Sequence, residues 1–156
     1  MANAFEVIGG KKLKGEIVPQ GAKNEALQIL CAVLLTPEKV KISNIPAIRD
    51  VLALIDILKD LGVKVEKHDE ETYSFTSDSI NLDYLKTDVY KKKGASLRGS
   101  IMIMGPLLTR FKKAYLPKPG GDKIGRRRLD THFLGFEKLG ANFNYDNNDS
   151  FYSVEA

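Results

Sequence analysis

Residues 21–65 carry four phrases in order: Gly21-Ala22-Lys23-Asn24, Leu34-Leu35-Thr36, Pro46 and Leu61-Gly62-Val63-Lys64-Val65. They return as Gly94-Ala95-Ser96-Leu97, Leu107-Leu108-Thr109, Pro119 and Leu139-Gly140-Ala141-Asn142-Phe143. Gly21 to Gly94, Leu34 to Leu107 and Pro46 to Pro119 are each offset by 73 positions, whereas Gly62 to Gly140 is offset by 78. The second copy therefore holds an insertion of five residues, which falls between Pro119 and the helix that follows. That insertion lies in the stretch Pro119-Gly120-Gly121-Asp122-Lys123-Ile124-Gly125-Arg126-Arg127-Arg128-Leu129-Asp130. Loops added to one copy of a duplicated scaffold are where function is commonly grafted.

Each copy parses the same way. Ala22–Leu35 and Ala95–Leu108 are apolar on most faces, as buried helices are. Lys39–Ser43 and Lys113–Pro117 read as short strands. In Asp50–Leu61, Val51, Leu54, Ile55, Leu58 and Leu61 recur at helical spacing, with Asp50 as the expected cap and Gly62 as the stop. Leu129–Leu139 repeats that helix and ends at Gly140. Val63–Lys67 with Thr72–Thr76, and Ala141–Tyr145 with Ser150–Glu155, read as hairpins. The predicted fold class is α/β (α+β), built from repeated helix-strand-helix-strand-strand units. The first unit spans 21–78 and the second 94–156, the latter carrying a loop at 117–130. A polar connector, 79–93, joins them, with Leu82 and Leu85 as its apolar anchors and one more strand or short helical turn expected in this region. Residues 1–20 stand outside both copies, and Phe5–Ile8 and Gly15–Val18 read there as the two strands of a hairpin. Two repeat units are few for closing a core, so the reading is of part of a longer protein.

Composition narrows the function classes. The chain has 156 residues, 43% hydrophobic and 28% charged, as a soluble globular domain does. Its 24 basic and 20 acidic residues leave a formal charge of +4, too mild an excess to imply nucleic acid. No apolar run reaches the length of a membrane span, and Met1–Glu6 lacks the layout of a secretion signal. The single cysteine, Cys31, excludes an internal disulfide and fits a reducing cytoplasm. With one cysteine and only His68 and His132, the chain offers no ligand set for a structural zinc.

The residues able to carry chemistry are cationic. Lys23 and Asn24 open a buried helix, where free N–H groups and the helix dipole attract anions, although on spacing alone Lys23 reads rather as a solvated lysine of the first turn. Arg98 lies at the equivalent place in the second copy among Gly94, Ala95, Ser96, Gly99 and Ser100, small residues that suit either a ligand or close helix packing. The loop's glycines permit close backbone approach, and guanidiniums are preferred partners of phosphate and carboxylate. Arg126, Arg127 and Arg128 cannot all point one way, so at most two share a ligand. Asp122 sits among these cations, which favour its charged form. Proton donation by it near neutrality needs desolvation or a bound anion to oppose them. Read alone, Asp122 is equally a turn-forming aspartate after Gly-Gly. Cys31, among Ile29, Leu30 and Val33, reads as a core residue.

Taken together these motifs resemble the N-terminal part of the UDP-N-acetylglucosamine 1-carboxyvinyltransferases, a family of enolpyruvyl transferases. The matching pieces are Gly21-Ala22-Lys23-Asn24, Asn44-Ile45-Pro46 with Asp50-Val51, Leu97-Arg98-Gly99-Ser100 with Gly105-Pro106-Leu107, Pro119-Gly120-Gly121 with Ile124-Gly125, and Arg127, Asp130 and His132. The resemblance implies two inside-out α/β lobes of three such repeats each, with residues 1–20 belonging to the second lobe. It implies transfer of the enolpyruvyl group of phosphoenolpyruvate to the 3-hydroxyl of the sugar nucleotide, with release of phosphate and no cofactor or metal. It assigns Lys23 and Asn24 to phosphoenolpyruvate, and Arg98, Arg127, Arg128, Leu129, Asp130 and Thr131 to UDP-N-acetylglucosamine. Arg49 takes a position where the family often has another cation.

Two departures stand out. Most of the family carries cysteine where this chain has Asp122; that residue is the general acid that protonates the methylene carbon, and the cysteine is alkylated by fosfomycin. A carboxylic acid can donate the same proton if the closed site raises its pKa, but it forms no thioether. Arg128 replaces a usual proline, making the loop more basic and less rigid. The nearest rival is the shikimate-pathway enolpyruvyl transferase, which lacks a loop of this kind. A rival of another class is a non-catalytic basic repeat domain that binds nucleic acid through Lys91–Lys93 and Arg126–Arg128, although these runs lack interleaved aromatics. The partners expected are the two substrates and the C-terminal remainder of the enzyme, with no membrane or nucleic acid. The 156 residues alone are expected to be inactive.

Overall fold

The fold was analysed in a computed structural model, which describes residues 4–118, 120, 128–146 and 151–156. Helix α1 (Lys23–Ala32) runs into a 3₁₀ turn, Val33–Leu35, and is followed by strand β1 (Lys39–Ile42), helix α2 (Arg49–Asp60) and strands β2 (Lys64–Lys67) and β3 (Tyr73–Thr76). A 3₁₀ turn at Leu82–Lys86 and helix α3 (Asp88–Ser96) lead to a second 3₁₀ stretch, Arg98–Ile103. Helix α4 (Met104–Phe111), strand β4 (Lys113–Pro117), helix α5 (Asp130–Lys138) and strands β5 (Asn142–Asp146) and β6 (Phe151–Glu155) complete the order.

The two copies form matching antiparallel sheets, ordered β1-β3-β2 and β4-β6-β5. In each, the last strand lies in the middle: Phe75 pairs with Val40 on one side and Val65 on the other, and Val154 pairs with Ala114 and Phe143. The outer strands are therefore parallel to one another, joined by α2 or α5 as a split β-α-β unit. The glycines that mark the repeat have physical work in both copies. Gly62 and Gly140 end their helices at φ +107° and +95°, the left-handed region that suits glycine. A Cβ on Gly21 would lie 2.0 Å from the Asn44 carbonyl oxygen, and one on Gly94 would lie 2.8 Å from Pro117 Cγ. The Gly21–Asn44 and Gly94–Pro117 contacts fall at positions related by the same offset of 73, although Gly21 precedes α1 whereas Gly94 lies near the end of α3.

One hydrophobic cluster runs through both units, with Leu30, Leu34, Leu54, Ile57, Leu58, Phe75, Leu107 and Leu116 fully buried. Each such aliphatic side chain contributes about 2 kcal/mol relative to exposure. Arg110 stitches the units together: its Nη1 donates to the carbonyls of Leu34 at 3.2 Å and Ser77 at 2.7 Å. On the connector side, Asp60 accepts from Tyr84 Oη at 2.9 Å and Lys93 Nζ at 2.5 Å. Burial opposes ionisation of Asp60, but these two donors outweigh it and hold the carboxyl below its usual value. Cys31 is a core residue as read, and burial pushes its thiol up.

Four expectations are corrected. Residues 4–20 form neither of the strands read at Phe5–Ile8 and Gly15–Val18, and Phe5 and Ile17 are 98% and 90% exposed. An alternating strand needs an apolar surface to cover and a neighbour to pair with, and the described residues offer this segment neither. The helix read continuously over Ala95–Leu108 is broken. Leu97 is extended (φ −120°, ψ 114°), and the Ser100 hydroxyl donates to the carbonyls of Gly94 and Leu97. Serine bonds of this kind, in a Gly- and Ser-rich run, compete with the helical ladder. Its first-copy counterpart also changes character, becoming 3₁₀ after Ala32. Finally, Asp50 does not cap α2. The cap position is Ile48, and Asp50 lies inside the first turn, its carboxylate engaged elsewhere.

Candidate functional site

Three helical starts meet around one cavity of about 670 Å³. Lys23 and Asn24 form the first turn of α1, Arg49 and Asp50 that of α2, and Arg98 and Gly99 open the 3₁₀ stretch. No described side chain caps any of these three starts, whereas Asn81 and Thr87 do cap the turn at Leu82–Lys86 and helix α3. Uncapped first-turn N–H groups and the positive ends of helix dipoles favour an anion. Lys23, Arg49 and Arg98 add full positive charges to the same walls, against the carboxylate of Asp50, the single one among the described residues that line it. Leu27, Ala53 and Met102 give the cavity an apolar side. Such a cavity suits an anionic ligand with a less polar body.

Lys23 Nζ donates to Asp50 Oδ2 at 2.9 Å, joining the starts of α1 and α2. Arg98 Nη2 donates to the backbone carbonyl of Arg128 at 3.3 Å, so the end of the loop at 117–130 sits beside the cavity. Arg128 itself pairs with Asp130 at the start of α5. The structure thus gathers Lys23, Asn24 and Arg98 into one cavity. Arg128, Leu129, Asp130 and Thr131 do not line it; Arg128 is tied to it through the bond from Arg98, and Arg128, Asp130 and Thr131 are exposed. Asp122 and Arg127 lie outside the described residues.

The small residues around Arg98 serve packing as well as access. Gly94 abuts Pro117, a Cβ on Gly99 would lie 3.1 Å from Leu27 Cδ1, and Ser100 is buried. Sequence reasoning missed Asp50 as the partner of Lys23, because the pair spans 27 positions and two helices. It also missed Gln28, although Gln28 stands four residues after Asn24 and therefore on the same helix face. Two of the lysines in the run Lys91–Lys93 are engaged within the fold: Lys91 Nζ sits 5.5 Å from the Phe151 ring centroid, and Lys93 pairs with Asp60. Among the described residues no cluster of His, Cys, Asp and Glu could hold a metal, and no helix is long and apolar enough to cross a membrane.

The family model for EPSP synthase (3-phosphoshikimate 1-carboxyvinyltransferase) matches residues 7–156. The chain belongs to this EPSP synthase family. Among its relatives, the UDP-N-acetylglucosamine 1-carboxyvinyltransferase of Bacteroides thetaiotaomicron is 54% identical over 98% of this chain and 35% of its own length. That of Porphyromonas gingivalis is 51% identical over the same shares, and that of Treponema denticola 41% identical over 94% of this chain and 34% of its own length. This EPSP synthase-family chain therefore spans about a third of the length of the curated relatives it matches. In three dimensions it resembles the enolpyruvyl transferase NikO from Streptomyces tendae, with TM-score 0.67 and 19% identity over 95% of this chain and 31% of that one. An EPSP synthase from Acinetobacter baumannii aligns with TM-score 0.53 and 12% identity, over 94% of this chain and 33% of that one. These two structures speak to the fold, which is that of the enolpyruvyl transferases, here with two small antiparallel sheets among helices.

Proposed function

We propose that the chain supplies one wall of the active site of a cytoplasmic UDP-N-acetylglucosamine 1-carboxyvinyltransferase. The reaction moves the enolpyruvyl group of phosphoenolpyruvate to the sugar 3-hydroxyl and releases phosphate, the first committed step of peptidoglycan synthesis. The observation that carries this reading is the convergence of Lys23, Asn24 and Arg98, from both repeat units, on one cavity where three uncapped helical starts meet. Two anionic substrates meeting in one cleft call for that concentration of positive charge.

In this reading Lys23 and Asn24 hold phosphoenolpyruvate. Arg98 holds the sugar nucleotide with Arg127, Arg128, Leu129, Asp130 and Thr131. The hydroxyl oxygen, giving up its proton to a base on the remainder of the enzyme, adds to C2 of phosphoenolpyruvate while Asp122 delivers a proton to the methylene carbon. Loss of phosphate and of a proton from that carbon then restores the double bond. No cofactor enters. Residues 1–20 belong with a second lobe, in keeping with the exposed Phe5, Val7, Ile8, Ile17 and Val18, and the 156 residues alone do not turn over. The division into units at 21–78 and 94–156 follows the two sheets, while α3 crosses from the connector into the second unit.

Binding assays test the substrate class: the protein is expected to bind UDP-N-acetylglucosamine and not shikimate 3-phosphate, and the reverse preference overturns the reading. The full-length enzyme is expected to release phosphate from phosphoenolpyruvate only when the sugar nucleotide is present. With Asp122 in place of a loop cysteine, fosfomycin is expected to leave that activity intact. Irreversible, time-dependent inactivation by the drug would refute the assignment of Asp122.

A further inference from the structure

We infer that Asp50 is a positioning residue that holds the Lys23 ammonium in place and restrains the cavity's affinity for small anions, inorganic phosphate above all. The inference rests on the substrate reading above for its biological meaning, but its physical content stands on the ion pair alone. Lys23 Nζ and Asp50 Oδ2 are 2.9 Å apart, and their side chains are 39% and 41% exposed. The pair therefore lies at the cavity wall, in reach of solvent and ligand. Each partner sits in the first turn of a different helix, so the bond fixes one helical start against the other. A lysine stem with four rotatable bonds loses much of its conformational freedom when its ammonium is held, and the carboxylate prepays that loss before a ligand arrives.

The carboxylate also opposes anion binding. Arg49, Arg98 and Lys23 attract an incoming phosphate group, whereas Asp50 repels it and competes for the ammonium. A ligand with further contacts, such as a sugar nucleotide, overcomes that opposition. A small inorganic anion has only its charge to offer. In a reaction that releases phosphate among these cations, such a counter-charge favours departure of the product over its retention. This is selectivity by an element placed against the unwanted ligand.

The test is a double-mutant cycle read by titration of inorganic phosphate at fixed ionic strength. Replacing Asp50 by asparagine keeps the shape and removes the charge. Asp50→Asn is expected to bind phosphate about fivefold more tightly than the parent, the size of effect that a partly exposed ion pair supports. Asp50→Glu is expected to bind as the parent does. In the Lys23→Ala background the same Asp50→Asn change is expected to gain about twofold or less, since only direct repulsion remains. A merely structural role in the first turn of α2 would shift the unfolding transition but would not produce this dependence on Lys23. Unchanged or weaker phosphate binding by a folded Asp50→Asn protein overturns the inference, as does an equal gain with and without Lys23. UDP-N-acetylglucosamine binding by the parent is measured alongside. If the sugar nucleotide binds and Asp50→Asn gains nothing, Asp50 loses its role and the substrate reading survives. If the sugar nucleotide fails to bind while the Lys23-dependent gain appears, the substrate reading falls and the role of Asp50 stands.

Discussion

Replacing Gly21 by alanine should cost the protein about 3 kcal/mol or more, whereas the same replacement at Gly135 should gain about 1 kcal/mol. The difference is worked from the geometry. A Cβ on Gly21 would sit 2.0 Å from the Asn44 carbonyl oxygen, at least 1 Å inside the 3.0 Å below which Cβ contacts essentially never occur. The obstacle is backbone, and it is backbone that resists moving: Asn44 is at φ +58°, and the next residue, Ile45, donates its N–H to Glu71 at 2.9 Å. Pro46 Cδ, 3.2 Å away, blocks a sideways escape. Relief therefore has to come from shifting the start of α1, which carries Lys23 and Asn24. Gly135 lies inside α5, and a Cβ there meets no heavy atom within 4 Å, so only the lost backbone freedom of glycine is at stake. Urea unfolding followed by circular dichroism should separate the two variants by about 4 kcal/mol. At a slope of about 1–3 kcal/mol/M that is a midpoint difference of more than about 1 M. The Gly21 variant should also lose anion affinity while the Gly135 variant keeps it. A Gly21→Ala protein within about 1 kcal/mol of the parent would refute the claim that this contact pins the start of α1.

Leu54→Ala removes a fully buried side chain from the cluster shared by both units and should cost about 2–5 kcal/mol by the same unfolding assay. Arg98→Ala should weaken UDP-sugar binding tenfold or more, about 1.4 kcal/mol, and Arg98→Lys should restore little of it because lysine lacks the planar fork. Asp60→Asn should destabilise the protein by less than about 1 kcal/mol at neutral pH, since the pair with Lys93 is part-exposed. The Asp60 carboxyl is held below its unfolded value, so its contribution is present above about pH 4 and fades as the pH falls through the folded-state pKa. Parent and variant stabilities measured against pH should therefore converge in acid. A gap that widened there would contradict the assigned bonds.

Most of the fold was legible because the repeat is written in residues whose roles are local. Gly62 and Gly140 end helices by their positive φ, and alternation in Val63–Lys67 and Ala141–Tyr145 marks strands that do form. What stayed hidden depends on partners distant in sequence. Phe5–Ile8 has the composition of a strand but nothing among the described residues to pair with, and composition alone cannot reveal a missing partner. Within the candidate site, Lys23 and Arg98 were legible as cations at helix starts. Asp50 was misread as a cap, because a cap and an ion-pair partner look alike until the facing helix is in place.

The break after Ser96 connects the two halves of this reading. In the first unit the equivalent residues run as an α-helix from Lys23 to Ala32, turning 3₁₀ only at Val33–Leu35, and the opening turn presents Lys23. The second unit interrupts its helix at Leu97 and begins a 3₁₀ stretch at Arg98, adding a further helical start and guanidinium to the cavity that Lys23 and Arg49 already line. The Gly- and Ser-rich run with its Ser100 hydroxyl bonds favours that break, although 3₁₀ hydrogen bonds are poorer and runs longer than three or four residues are uncommon. The break falls where the two copies meet at the cavity. The candidate site thus lies where the second copy departs from the backbone of the first.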